Sequence, residues 1–166
     1  MAQKVIFHVD ANSAFLSWSA AYRVKVLGET EDLRDVPSVV AGDKESRHSI
    51  ILAKSGPAKK YGIQTGEPLF LALEKCPSLK VVEPDYELYV AASRHFVELL
   101  RTFSHQVQQY SIDEAWVDMT GTERLWGPPR LAAEKMRLRI WEELGFTVNV
   151  GISSNKLLAK MAGDFE

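Results

Sequence analysis

The chain of 166 residues holds a single cysteine, Cys76, so it cannot close an internal disulfide, and no Cys or His cluster has the spacing of a structural zinc site. Long hydrophobic runs are missing too. The longest apolar stretches, at residues 5–9 and 50–53, fall far short of the roughly 20 residues that cross a bilayer. The N-terminus lacks the basic, apolar and small-residue succession of a secretory signal, so the expectation is a cytoplasmic protein with no membrane partner. Nor is there a basic surplus: 20 Lys and Arg stand against 22 Asp and Glu, a formal net charge of −2. Free-standing DNA-binding proteins usually carry the opposite balance, which displaces counterions from phosphates. Composition by itself therefore does not suggest nucleic acid.

What is present, 46% hydrophobic and 25% charged side chains without repeats or low-complexity segments, suits a globular protein with a proper core. Residues 4–10 are apolar and β-branched, read as a buried strand, and end in an acid, Asp10. A helix follows over 12–26, with Asn12 or Ser13 as its cap. Short strands at 36–41 and 49–53 read as a small hairpin, Gly56-Pro57 as a break, and 68–75 as a short helix. A strand at 80–83 leads to a long helix capped by Asp85 and running through Phe103. Strands at 106–111 and 115–119 meet at Ile112-Asp113-Glu114. A helix over 129–144, a strand over 147–152 and a helix capped by Ser153 or Ser154 complete the pattern. This order is α+β and ferredoxin-like: an antiparallel sheet with helices on one face, interrupted by a small inserted subdomain. The last helix reaches Glu166 without a stop signal, so the chain is expected to be cut there.

Acids interrupt apolar strands at two places, Asp10 and Asp113-Glu114, and a ferredoxin-like sheet would make those strands neighbours. Clustered carboxylates repel unless cations neutralise them, and hard oxygen ligands without His or Cys favour magnesium. A pair of such ions activates an attacking oxygen and stabilises a leaving one in phosphoryl transfer. The pattern alone leaves a plainer reading open, in which Asp10 caps the following helix and Asp113-Glu114 occupy a solvated turn.

Three strings narrow the choice: Phe7-His8-Val9-Asp10-Ala11-Asn12-Ser13-Ala14-Phe15, Tyr110-Ser111-Ile112-Asp113-Glu114-Ala115-Trp116-Val117-Asp118 and residues 150–162, which carry Gly151-Ile152-Ser153-Ser154-Asn155-Lys156 and Lys160. In this order and spacing they resemble the Y-family translesion DNA polymerases, and the likeness covers nearly the whole chain. It implies a palm at 1–20 and 78–166, a fingers insertion at 21–77, and thumb and little-finger domains absent from this chain.

The resemblance implies that Asp10 and Asp113 bridge two magnesium ions, that Glu114 holds the ion activating a primer 3′-hydroxyl, and that the Ala11 carbonyl helps hold the other. It puts Phe15 at the steric gate against ribonucleotides and Lys160 at the triphosphate. In the fingers, many relatives carry Tyr and Arg three residues apart where this chain has Gly56 and Lys59. Lys59 replaces a bidentate fork by a point charge, with Lys54 and Lys60 as nearby substitutes. The implied activity is damage-tolerant, template-directed DNA synthesis on primer-template DNA from deoxynucleoside triphosphates, with a sliding clamp as a partner through the missing region. The isolated fragment is expected to be weak or inactive. Two rivals are a two-metal nucleotide cyclase of the same fold class and a catalytically silent relative acting as a binding module.

Overall fold

The computed structural model describes residues 3–46 and 48–165. In chain order its elements are β1 (Ile6–Ala11), α1 (Ala14–Lys25), β2 (Ser38–Ala41), β3 (Ile51–Lys54), α2 (Gly56–Lys60), α3 (Leu69–Lys75) and β4 (Lys80–Val82). There follow α4 (Tyr86–Arg101), β5 (Val107–Gln109), β6 (Glu114–Asp118), α5 (Glu123–Trp126), α6 (Pro129–Leu144), β7 (Val148–Ser153) and α7 (Lys156–Gly163). They group into two compact units, Met1–Asn12 with Val90–Glu166, and Ser13–Tyr89. Among the described residues no helix is long and apolar enough to cross a membrane.

The first unit is built on an antiparallel sheet of order β5-β6-β1-β7, the strand order of the ferredoxin-like pattern. Strand alternation divides its residues between two faces. On one, Phe7 lies between Val117 and Ile152, and Val9 between Ala115 and Val150. Phe7, Val9, Ala115 and Val117 are wholly buried, and each large apolar side chain so covered contributes about 1.5–3 kcal/mol. The helices of this unit bury matching stripes: Phe96 and Leu100 of α4, Met136 and Ile140 of α6, both spaced one helical turn apart. Phe96 meets Phe146 edge to face with centroids 5.8 Å apart. Gly145, at φ +81°, ends α6 by donating its N–H to the Ile140 and Trp141 carbonyls, a left-handed cap that favours glycine.

The opposite face carries His8, Asp10, Glu114 and Trp116, and α7 packs over it against β1 and β7. That approach depends on Gly151, opposite His8 on β7. A Cβ there would stand 1.9 Å from the Ala159 carbonyl oxygen and 2.5 Å from the Gly163 nitrogen. The helix starts at Asn155, whose side-chain oxygen accepts from the Leu158 N–H at 2.9 Å. Asn155 thus takes the capping role expected of Ser153 or Ser154, because β7 continues through Ser153.

The second unit holds a sheet of order β3-β2-β4. β2 and β3 are the antiparallel pair expected of the hairpin, while β4 runs parallel to β2. Leu16 and Ala20 of α1 pack with Leu33, Val40 and Ala53. On a second cluster, Val39 and Ile51 meet Ala58, Ile63, Leu69 and Leu79. Gly56-Pro57 is a helix start and not a break. Ser55 caps α2 by accepting from the Ala58 N–H, and proline suits a first turn whose N–H groups lack partners. Ser13 occupies the N-cap position of α1 at φ 44°, without a side-chain capping bond. Asp85 does cap α4, its carboxylate accepting from Leu88 N–H at 3.0 Å. The four-residue α5 has no counterpart in the sequence reading.

Candidate active site

Asp10, the fifth residue of β1, and Glu114, the first of β6, are cross-strand partners. The acid next to the end of one apolar strand therefore stands opposite the acid that begins the other. Asp113 precedes Glu114 in the hairpin between β5 and β6, and its carbonyl accepts from the Ala11 N–H at 2.9 Å. The hairpin is also tied from behind. Buried Ser93 of α4 donates its hydroxyl to the Ile112 carbonyl, and Gln109 Nε2 donates to the Ser111 carbonyl at 3.0 Å. The Ser111 hydroxyl donates to Asp113 Oδ1 at 2.8 Å, fixing that carboxylate's local direction.

Two donors converge on Glu114 Oε2: His8 Nε2 at 2.7 Å and Lys160 Nζ at 2.6 Å. The Lys160 ammonium also lies 4.9 Å from the centre of the Tyr110 ring, which favours a cation over its face. Burial would raise the Glu114 carboxyl, but the hydrogen bonds from Lys160 and His8 outweigh it and hold Glu114 below its ordinary value. Lys160 is raised in turn, chiefly by its hydrogen bond to Glu114.

Asp10 is the opposite case. Burial first, then the charges of Asp113 and Glu114, push it up to about 6 against the pull of Lys160. A half-buried acid raised by burial and further by like charges is a place where a positive ion would relieve repulsion. As the side chains stand, no group of three His, Cys, Asp or Glu among the described residues is arranged to hold a metal ion. The oxygen-only character of Asp10, Asp113 and Glu114 nonetheless suits a hard divalent cation.

The geometry thus brings Asp10, Ala11, Asp113, Glu114 and Lys160 together within the first unit. Phe15 and Lys59 lie in the second. There the half-buried Phe15 ring stacks on Tyr89, centroids 4.5 Å apart and planes 9° from parallel, and meets Tyr86 edge-on. The Tyr89 hydroxyl, 2.8 Å from Ser19 Oγ, anchors that stack. Lys59 is exposed in the last turn of the short α2, with Lys60 beside it. Sequence reasoning assigned nothing to His8. The signal was present, since a histidine two residues before Asp10 on one strand shares its face.

The impB/mucB/samB family matches residues 9–164. The chain belongs to that family. Among its relatives, DNA polymerase IV of Clostridium acetobutylicum is 53% identical over 161 residues, covering 97% of this chain and 40% of that protein. DNA polymerase IV 2 of Bacillus subtilis is 37% identical over 164 residues, covering 99% of the chain and 38% of the relative. The crystal structure of DinB from Sulfolobus solfataricus is similar with a TM-score of 0.80 and 26% identity, over 98% of this chain and 46% of that one. The insertion ternary complex of Dbh DNA polymerase gives the same TM-score and identity over 97% of this chain. The chain spans about two fifths of the length of these curated relatives. The Y-family resemblance drawn from the three motifs is therefore a family membership, and these matches favour neither the cyclase nor the binding-only rival.

Proposed function

We propose that this impB/mucB/samB member is the nucleotidyl-transfer portion of a damage-tolerant DNA polymerase, adding deoxynucleotides to a primer on a template. The observation that carries the reading is the pairing of Asp10 with Glu114 across β1 and β6, with Asp113 beside them and Asp10 pushed up by burial and then by these neighbouring charges. In this reading Asp10, Asp113, Glu114 and the Ala11 carbonyl would hold two magnesium ions. When bound, such ions supply charge neutralisation and activation of an attacking oxygen. The chain's own residues orient and select. Lys160 brings a point charge to a triphosphate, Lys59, or Lys54 or Lys60 in its stead, does so from the fingers, and Phe15 excludes a 2′-hydroxyl.

The palm would comprise residues 1–20 and 78–166 and the fingers 21–77. DNA grip and any sliding-clamp contact would belong to the length that this chain does not span, consistent with its net charge of −2. A cytoplasmic setting is part of the same reading. The test is magnesium-dependent primer extension by the chain carried within a full-length polymerase, wild type against Asp113→Asn. Extension by wild type that the substitution abolishes supports the proposal; extension that survives Asp113→Asn removes it.

A further inference from the structure

His8 is 2% exposed, yet its ring is not spent on packing alone. Its cross-strand neighbours are Trp116 on β6 and Gly151 on β7. Glu114 lies two residues from Trp116 along β6, the diagonal position that a long side chain reaches across an antiparallel pair. The Trp116 ring flanks the imidazole with centroids 5.7 Å apart and planes at 57°. From above, a Cβ added at Gly163 of α7 would stand 3.8 Å from His8 Nδ1, so the helix lies close over the ring. Little room remains for the imidazole to turn.

The consequence falls on Glu114. Among the described residues its side-chain hydrogen bonds both end on Oε2, one from a buried, confined ring and one from a part-exposed lysine. Lysine carries roughly 2 kcal/mol of rotamer freedom, whereas the confined ring has almost none left to lose. A donor of the first kind sets direction; a donor of the second kind mainly supplies charge.

We infer that His8 is a positioning residue: its Nε2–H holds Glu114 by Oε2 in the one rotamer that offers the rest of the carboxylate to a divalent cation. This rests on the metal-binding reading above and deepens it. Without His8, Lys160 remains as the donor and Glu114 turns with it, so the carboxylate is still charged but no longer aimed. A donor restored at the same reach should restore the aim, which a purely space-filling role would not require.

The test is Mn²⁺ binding to this chain, followed by the loss of the free-ion EPR signal, with folding checked by circular dichroism and thermal melts. Wild type, His8→Phe, His8→Asn and His8→Gln are compared. Phenylalanine fills the space without a donor, asparagine donates but falls short of Glu114, and glutamine reaches with an amide N–H. The expected result is a loss of affinity of about tenfold in His8→Phe and His8→Asn, with His8→Gln within about threefold of wild type, as second-layer ligand contacts typically weigh. If His8→Phe fails to fold, His8→Asn carries the same expectation. Equal affinity in wild type and the folded donor-free variant overturns the inference while leaving the metal site standing. No saturable binding by wild type removes the metal reading itself, and the positioning role with it. An affinity loss in His8→Gln as large as in the other two variants also overturns the inference, since reach and donor are then irrelevant.

Discussion

Lys160 Nζ stands 2.6 Å from Glu114 Oε2, joining α7 to the first residue of β6. The lysine side chain is 36% exposed and the glutamate 14%. A pair this open contributes at most about 1 kcal/mol to stability. Lys160→Met is therefore expected to shift the urea midpoint only slightly. On the proposed polymerase reading, its effect should appear in ligand binding, as a loss of about tenfold in affinity for a deoxynucleoside triphosphate, read by fluorescence or calorimetry. A large stability loss with unchanged nucleotide affinity would make the lysine a structural residue.

Asp10 gives a pH dependence of definite sign. Its carboxyl is raised from 3.8 to about 6 in the folded chain. The folded state therefore holds its proton more tightly than the unfolded state, and stability falls as pH rises through that window. Discounted for partial solvent screening, the loss above pH 6 is about 1–2 kcal/mol. Asp10→Asn should be more stable than wild type by that amount at pH 7.5 in urea melts without divalent ions, with the advantage gone below pH 4. An advantage that persists unchanged to pH 3.5 would show that burial of charge is not its source.

Gly151→Ala tests how closely α7 approaches the sheet. The added methyl would meet backbone atoms, the Ala159 oxygen at 1.9 Å and the Gly163 nitrogen at 2.5 Å, and backbone yields less readily than a side-chain tip. A loss of about 3 kcal/mol is expected by chemical denaturation. Because α7 carries Lys160, its contact with Glu114 should loosen as well, visible as a shift of the Lys160 side-chain resonance.

Phe15 rests face to face on Tyr89. In the proposed polymerase, Phe15→Ala should cut discrimination against ribonucleotides by about a hundredfold, the usual limit when shape alone rejects a hydroxyl. Primer extension with deoxy- and ribonucleotides supplied separately measures this in a full-length enzyme. Undiminished discrimination would remove Phe15 from the gate.

Most of the first unit was legible because its signals are local. The apolar run before Asp10, the stripes of α4 and α6 and the 148–153 strand each follow one periodicity over many residues. That the strands of Asp10 and Asp113-Glu114 are neighbours followed once the order was taken as ferredoxin-like; the register that sets Asp10 opposite Glu114 did not. Pairing partners are less readable than strands themselves. Nothing in Lys80–Val82 says that β4 joins β2 in parallel, since that choice depends on the crossover through α2 and α3. Proline after glycine was read as an interruption although Ser55 before it makes a helix cap, a case of one turn signal masking another. His8 escaped notice because its partner is diagonal and across a strand, a relation with no fixed spacing along the chain.

The placement of β1 bears on how the chain is made. It is one of the two inner strands of its sheet, flanked on both sides, and it is translated before the other three. Its earliest partner, β6, leaves the ribosome about a hundred residues later, and β7 follows after that, a long wait for non-local pairing. Throughout that interval Ile6, Phe7 and Val9 present an apolar ribbon with two open edges, while residues 13–89 have already emerged with all the strands of their own sheet. Until Glu114 is synthesised, β1 therefore has none of its sheet partners, and residues 6–11 are a natural target for nascent-chain chaperones.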